Sequence, residues 1–398
     1  MKRTRNSYNN AHITAGVLSI AGCFLMAACP RTVMTGARTG IDLFMGSVLP
    51  TMFPFFVFVN FLNALGVPGR IGNVIQKPVS QLFRCSGVGG VILILSMFSG
   101  YPMAAKLVGD HVRNGEISVE EGKRILSFSC VSGPLFLIGT VGTAMLGNSF
   151  NGYLIAAGHY LGAFLNGLLF CHWILPRETM SDRKAIAGAT GVRDRSLSEM
   201  MSSGIFSAVR SLIPICGFII LFSIGSSFLT TSGLLEFLPR EWMKALIKGG
   251  LEMTLGCSAV SQLTDVTELF RLGLCSAIIS FGGFSISGQS LSMLSDTKIK
   301  SSYFLCMKLC HGVIAFLLTM AFGLAANHFG FPGEPVSLIY GSDRTFVRVF
   351  GGLHTLLFSM GSVTALMILM GAVVLTDHVV MGISRKFKER YLKRKENV

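Results

Sequence analysis

Residues 88–104 read VGGVILILSMFSGYPMA, and residues 249–260 read GGLEMTLGCSAV. Both segments are apolar, but each is shorter than the roughly 20 residues that a helix needs to cross a bilayer. Both contain glycine, and Pro102 near the end of the first removes a backbone donor that a continuous helix would use. We therefore predict that each segment is a re-entrant hairpin, which enters the membrane and leaves by the same face.

The rest of the chain is typical of a polytopic α-helical membrane protein. Of its 398 residues, 51% are hydrophobic and 14% are charged, whereas soluble domains have about 25% charged residues. The mean hydropathy is +0.60. We predict an all-α fold with about eight transmembrane helices, at residues 11–29, 41–66, 125–147, 151–175, 205–231, 270–294, 303–327 and 351–380. A cleaved signal sequence is the alternative for the first of these segments.

Several functional classes are excluded by what the sequence lacks. The net charge of +14 would suit nucleic acid, but no nucleic-acid-binding motif accompanies it, so we assign the basic residues to the membrane flanks. The cysteines lie in or beside apolar runs without a Cys-x-x-Cys pair, and we expect neither disulfides nor a metal site. No P-loop, His-Glu-x-x-His or Gly-x-Ser-x-Gly motif is present. We therefore expect no enzyme and no cofactor.

The distribution of basic residues orients the chain. Lys and Arg collect in cytoplasmic loops, and here they concentrate at the N-terminus, in the central loop and in the tail from Arg385 to Lys395. All three lie on the cytoplasmic side only if both short segments are re-entrant. Two halves then share one order of elements with opposite orientation, which predicts inverted repeats. The predicted divisions are 1–40, an N-terminal helix and linker; 41–175, the first repeat; 176–204, a basic loop; 205–327, the second repeat; and 328–398, a last helix and a cytoplasmic tail.

Inverted repeats place substrate near the bilayer midplane, at the ends of half-helices. The first hairpin offers Ser99, Gly100 and Tyr101, and Lys106 follows as a candidate for binding an anion. A simple turn at the membrane surface and a Lys106 that reaches to the interface are the alternatives.

The second hairpin offers Glu252 and Ser258. A carboxylate inside an apolar segment is usually functional, although Glu252 at the interface, offset by Lys248, would explain the same sequence.

A second polar break follows each hairpin. The first is at residues 129–134 and contains Ser132 and Gly133, and the second is at residues 280–285 and contains Ser285, with Gln289 beyond it. Small residues also allow close helix packing, which is the simpler explanation. His159 and Asn166 are secondary candidates, and packing hydrogen bonds explain them more readily than ligand binding does.

Residues 98–107 (FSGYPMAAKL) and 129–136 (SCVSGPLF) resemble the sporulation integral membrane protein YlbJ family, also called stage V sporulation protein V. The resemblance extends to residues 49–56, 250–256 and 280–286. It implies membership of the nucleoside-recognition or Gate-domain group, a role in endospore formation and movement of dipicolinic acid across a membrane around the forespore. Gly133 stands where we expect Asn in the family, and a role of that position in binding would not carry over unchanged.

The expected function is transport of a small anionic metabolite, for which the resemblance implies dipicolinate. Lys106, Ser99, Ser132 and the hairpin N-termini would supply a cation and hydrogen-bond donors. Glu252 would be protonated or would hold a coupling cation, and the sequence leaves this choice open, as it leaves open a homo-oligomer. A sporulation scaffold without transport and a nucleoside or cation carrier are the alternatives. The expected location is the cytoplasmic membrane, with both termini inside, and the outer forespore membrane during sporulation.

Overall fold

The computed structural model describes residues 16, 17, 19–65, 67–176 and 196–329, and its regular elements there are all helical. The α-helices are α1 Ser19–Ala28, α2 Pro30–Leu43, α3 Leu49–Ala64, α4 Val67–Phe83, α5 Gly87–Ser99, α6 Met103–Arg113, α7 Val119–Ser129, α8 Ser149–Leu169, α9 Leu197–Thr231, α10 Glu241–Leu251, α11 Met253–Ser261, α12 Glu268–Phe281, α13 Gly283–Met293 and α14 Ser301–His328. Three π-helical segments occur at Phe44–Val48, Leu135–Met145 and Phe170–Ile174. The predicted all-α class is confirmed.

Four helical stretches are long and apolar enough to cross a membrane, namely Ser149–Ile174, Leu197–Thr231, Glu268–Met293 and Ser301–His328. They confirm the predicted spans at 151–175, 205–231, 270–294 and 303–327 as candidate membrane helices. Two bent pairs raise the number to six if each counts as one span. Ser19–Ala28 meets Pro30–Gly46 at 103°, and Ile75–Phe83 meets Gly87–Ser99 at 93°.

Two predicted spans are not continuous straight helices. Residues 41–66 contain the π-helical turn at Phe44–Val48 and the internal Pro54 of α3, and the apolar part is the short stretch Met52–Leu62. Residues 125–147 contain the end of α7, a non-helical break at 130–133 and the π-helical Leu135–Met145. Pro134 begins the second piece, and proline cannot donate the hydrogen bond that would continue α7. The predicted last span at 351–380 and most of the predicted loop at 176–204 lie outside the described residues.

Burial separates central helices from peripheral ones. In the most apolar stretch of α8 and of α12–α13, 67% of the residues are buried, against 28% in α9 and 33% in α14. The exposed Leu309, Val313 and Leu317 of α14 recur every four residues and therefore share one helix face. We conclude that α8 and α12–α13 form the centre and that α9 and α14 present apolar faces to lipid.

The two halves repeat one local arrangement, in which a turn between two short helices lies against a break in the next element. In the first half, α5 and α6 are joined at Gly100, whose φ of 75° favours glycine, and the backbone there packs against Gly133. In the second half, Gly256 of α11 packs on Gly249 of α10, and the break at Gly283 lies beside the Gly249 and Leu251 carbonyls.

Candidate functional site

A cavity of about 330 Å³ lies where the two turns and the two breaks meet. That volume is within the range of small-molecule sites. Its polar lining comes from both halves of the chain, and apolar side chains of α3 and α9, including Met52, Phe55, Ile215 and Ile219, close the remaining walls. Most of the residues predicted from the sequence line this cavity: Ser99, Gly100, Tyr101, Ser132, Gly133, Glu252 and Gln289. Ser285 lies directly behind it, because the Gln289 amide donates to the Ser285 hydroxyl at 3.2 Å.

Lys106 is the predicted anion ligand that the structure places elsewhere. Its ammonium lies 3.0 Å from the Asp110 carboxylate one turn along α6 and 3.0 Å from the Asn60 side-chain oxygen. Arg113 donates to the same carboxylate at 2.6 Å. Lys106 therefore belongs to an ion-pair cluster and is not among the residues that line the cavity. The ion pair could have been predicted from the sequence, because Asp110 follows Lys106 by four residues and oppositely charged residues at positions i and i+4 of a helix are neighbours.

Ser258 also lies outside the central cavity. It lines a second cavity of about 520 Å³, together with Arg31 and Lys248.

Glu252 forms the turn between α10 and α11 and caps α11. Its carboxylate accepts a hydrogen bond from the Leu255 backbone N–H at 2.8 Å, and the residue is 4% exposed. An acidic cap suits the positive end of a helix. The ion pairs of the described residues do not include one between Glu252 and Lys248. Glu252 therefore places a carboxylate at the wall of the central cavity.

Lys308 is a buried lysine that was not among the residues predicted from the sequence. It is fully buried on α14, and its ammonium donates to the Tyr101 hydroxyl at 2.6 Å and to the Cys130 carbonyl at 3.0 Å. It also lies 4.3 Å from the centre of the Tyr101 ring, close enough for a cation–π interaction. The ion pairs of the described residues include none to Lys308. A lysine inside the predicted span 303–327 was a sufficient signal, because charges in spans mark functional positions.

His159 connects the breaks of the two halves. Its Nε2 accepts from the Ser132 N–H at 2.9 Å, which leaves Nδ1 to donate to the Ser280 hydroxyl at 2.7 Å. His311 donates to the His159 carbonyl at 2.9 Å. Asn166 makes a packing hydrogen bond, from its amide to the Ser127 carbonyl at 2.7 Å. Among the described residues, no cluster of three or more His, Cys, Asp or Glu is placed to hold a metal ion.

Helical spans around a central cavity that is lined by residues of two broken segments are typical of a polytopic integral membrane protein. The chain is 31% identical to the sporulation integral membrane protein YlbJ of Bacillus subtilis (strain 168), over 76% of this chain and 82% of that relative. The chain belongs to the YlbJ family, as the resemblance of residues 98–107 and 129–136 indicated. No family model matches the chain, and no solved structure matches it.

Proposed function

We propose that this chain is a membrane transporter that moves a small anionic metabolite during endospore formation, and that the metabolite is dipicolinate. The observation that carries the proposal is the central cavity, whose polar wall is built from the broken segments of both halves. Transporters with inverted repeats bind substrate at this kind of junction. The name of the relative, a sporulation integral membrane protein, supports the role in endospore formation, and the family resemblance supports dipicolinate.

The chemistry of the cavity suits a planar anion with a few polar contacts. Gln289 uses one amide hydrogen on Ser285 and has a second to offer. The segment Leu135–Met145 begins at the cavity wall, so the positive end of its backbone dipole lies there. Helix N-termini attract carboxylates. Lys308 lies behind the cavity wall. Tyr101 lines the cavity, and its hydroxyl accepts a hydrogen bond from the Lys308 ammonium, so a positive charge on Lys308 would favour an anion in the cavity.

Glu252 faces the same cavity, and its negative charge would repel a dianion. We propose that this carboxylate carries the coupling proton or cation, so that its charge is neutralised when the anion is bound. The presence of two groups of opposite charge, Lys308 and Glu252, near one cavity in a low-dielectric interior supports this proposal of coupled transport.

We further propose that the two turns are the tips of re-entrant hairpins of a Gate-type fold, which enter from opposite faces. The matching contacts of Gly100 with Gly133 and of Gly249 with Gly283 support this repeat. With eight spans and both termini in the cytoplasm, the protein would lie in the cytoplasmic membrane and, in sporulating cells, in the outer forespore membrane.

Uptake of labelled dipicolinate by liposomes that contain the purified protein tests the proposal, with labelled nucleosides as the comparison. We expect dipicolinate flux in the wild type and strong loss in Lys308→Met and Glu252→Gln. Lys244→Gln is the control, because Lys244 pairs with Glu236 and Glu241 away from the cavity. Flux of nucleosides alone would overturn the substrate, and flux of neither would favour a scaffold.

A further inference from the structure

The second cavity, of about 520 Å³, is lined largely by polar side chains. We call it the basic vestibule and define it by Arg31 and Thr35 of α2, Ser227 of α9, Lys248 of α10 and Ser258 of α11. Apart from Leu255 and Ala259, its lining side chains carry a hydroxyl, an amide or a positive charge. Unsatisfied polar groups are costly in a membrane, so such a lining indicates a cavity filled with water or with a polar ligand.

Positive charge in the basic vestibule is unopposed. The lining includes Arg31 and Lys248 but no Asp or Glu, and within the part of the chain that the structure describes neither cation forms an ion pair. Four of its hydroxyls, those of Thr35, Thr39, Thr230 and Thr231, already donate to carbonyls of their own helices at 2.9–3.0 Å. Because no acidic side chain lines the cavity, the two cations are the groups that would favour an anion.

The basic vestibule is separated from the central cavity by one helical turn. Leu255 and Ser258 of α11 line the vestibule, whereas Glu252, Met253 and Thr254 at the start of the same hairpin arm line the central cavity. The Lys248 carbonyl accepts from the Glu252 N–H at 2.9 Å. A ligand held by Lys248 would therefore lie next to the turn that closes the central cavity.

We propose that the basic vestibule is an oxyanion-binding site, in which the Arg31 guanidinium and the Lys248 ammonium hold a carboxylate or phosphate group. A guanidinium offers paired donors that match the two oxygens of such a group, and an ammonium adds a point charge. The anion is either a soluble dicarboxylate on its way to the central cavity or the headgroup of an anionic phospholipid at the edge of the bilayer. Only the first role rests on the proposed transport function, while binding itself is independent of it.

The test uses the full chain in nanodiscs of phosphatidylcholine and measures binding of labelled dipicolinate by equilibrium dialysis. The test variant is Arg31→Gln with Lys248→Gln, and the control is Arg38→Gln with Lys244→Gln, which removes the same charge from the same two helices outside the lining. Each lost cation should weaken binding at the vestibule roughly tenfold. Lys308→Met should keep this salt-sensitive binding, since it changes only the central site. Failure of transport with vestibule binding intact would count against the proposed function alone.

A second arm distinguishes the source of the anion. The same proteins are purified from membranes that contain phosphatidylglycerol, and retained lipid is counted by native mass spectrometry. Loss of dipicolinate binding in the test variant alone supports a site for soluble anions. Loss of retained phosphatidylglycerol in that variant alone supports a lipid site. If the test variant and the control bind both ligands as the wild type does, the proposal is overturned.

Discussion

The ammonium of Lys308 lies 2.6 Å from the hydroxyl of Tyr101, so a helix of the second half is bonded to the turn of the first. The same hydroxyl donates to the Ile279 carbonyl of α12 at 3.2 Å. Tyr101 also lines the central cavity. A movement of this turn relative to α14 would break or rearrange a hydrogen bond from the Lys308 ammonium, which links the cavity wall to the contact between the halves.

Replacement of Lys308 by Met should abolish the positive charge behind the cavity with little change in side-chain length. We expect uptake of the anion to fall at least about tenfold, because a charge-assisted interaction contributes roughly 1.5–3 kcal/mol. Lys308→Arg keeps the charge but not the fit, and it should retain more uptake than Lys308→Met. Equal uptake in Lys308→Met and the wild type, with equal amounts of protein in the liposomes, would remove Lys308 from the site.

Tyr101→Phe separates the hydrogen bonds from the ring. The ring can stay near the Lys308 ammonium, while the ammonium loses one of its two acceptors and the Ile279 carbonyl loses a donor. We expect a loss of about 1–3 kcal/mol in the free energy of unfolding, measured by thermal denaturation in detergent. Tyr303→Phe is the comparison, since it removes the hydrogen bond from the Tyr303 hydroxyl to the Lys123 carbonyl at 2.8 Å and leaves no ammonium without an acceptor, so its effect should be smaller. A stability of Tyr101→Phe equal to that of the wild type would show that these bonds are replaced by water.

Much of the central site could be predicted from the sequence, because its signals are local. Glycine and proline at 100–102 and at 133–134 mark the breaks, and Glu252 is a carboxylate in an apolar segment. The role of Lys308 depends on a partner 207 residues away, and no local pattern specifies that contact. Lys106 shows the opposite case, since its position after the break suggested a ligand, whereas Asp110 one turn further gives it a partner.

The span prediction shows the same limit. Segments at 151–175 and 303–327 are apolar over most of their length, and their helices follow from hydropathy. Residues 125–147 are equally apolar, yet the chain breaks at 130–133. Hydropathy measures the preference for lipid and does not register the missing donor of Pro134. The basic vestibule was not foreseen, because its residues come from four helices that are adjacent only in the folded chain.

Gly100→Ala tests the turn that carries Tyr101. Gly100 has a φ of 75°, and a Cβ there would lie 2.9 Å from the Gly133 backbone nitrogen. Gly147 has a similar φ of 71° but open space around it. A left-handed conformation costs a residue with a Cβ about 1–2 kcal/mol, so Gly147→Ala should show that cost alone. Gly100→Ala should lower the melting temperature further and should also reduce uptake. Equal melting temperatures would mean that Gly133 can move aside.

The second hairpin can be tested with two glycines of its own. A Cβ on Gly256 would lie 2.1 Å from the Gly249 Cα, whereas Gly250 has nothing within 4 Å. Gly256→Ala should therefore separate α10 from α11 and lower both stability and uptake, while Gly250→Ala should leave both close to the wild type. If both substitutions are tolerated equally, the close packing of the two arms is not required for function.

Labelling of single introduced cysteines tests the opposite entry of the two hairpins. Asn114 follows α6, Thr264 follows α11, and both residues are exposed. In a background with Ser at the exposed Cys23 and Cys306, Asn114→Cys should react with a membrane-impermeant maleimide only after the cytoplasmic side is opened. Thr264→Cys should react in intact cells, because the second hairpin is proposed to enter from outside. Reaction of both cysteines from one side would contradict the inverted repeat, since each loop returns to the face from which its hairpin enters.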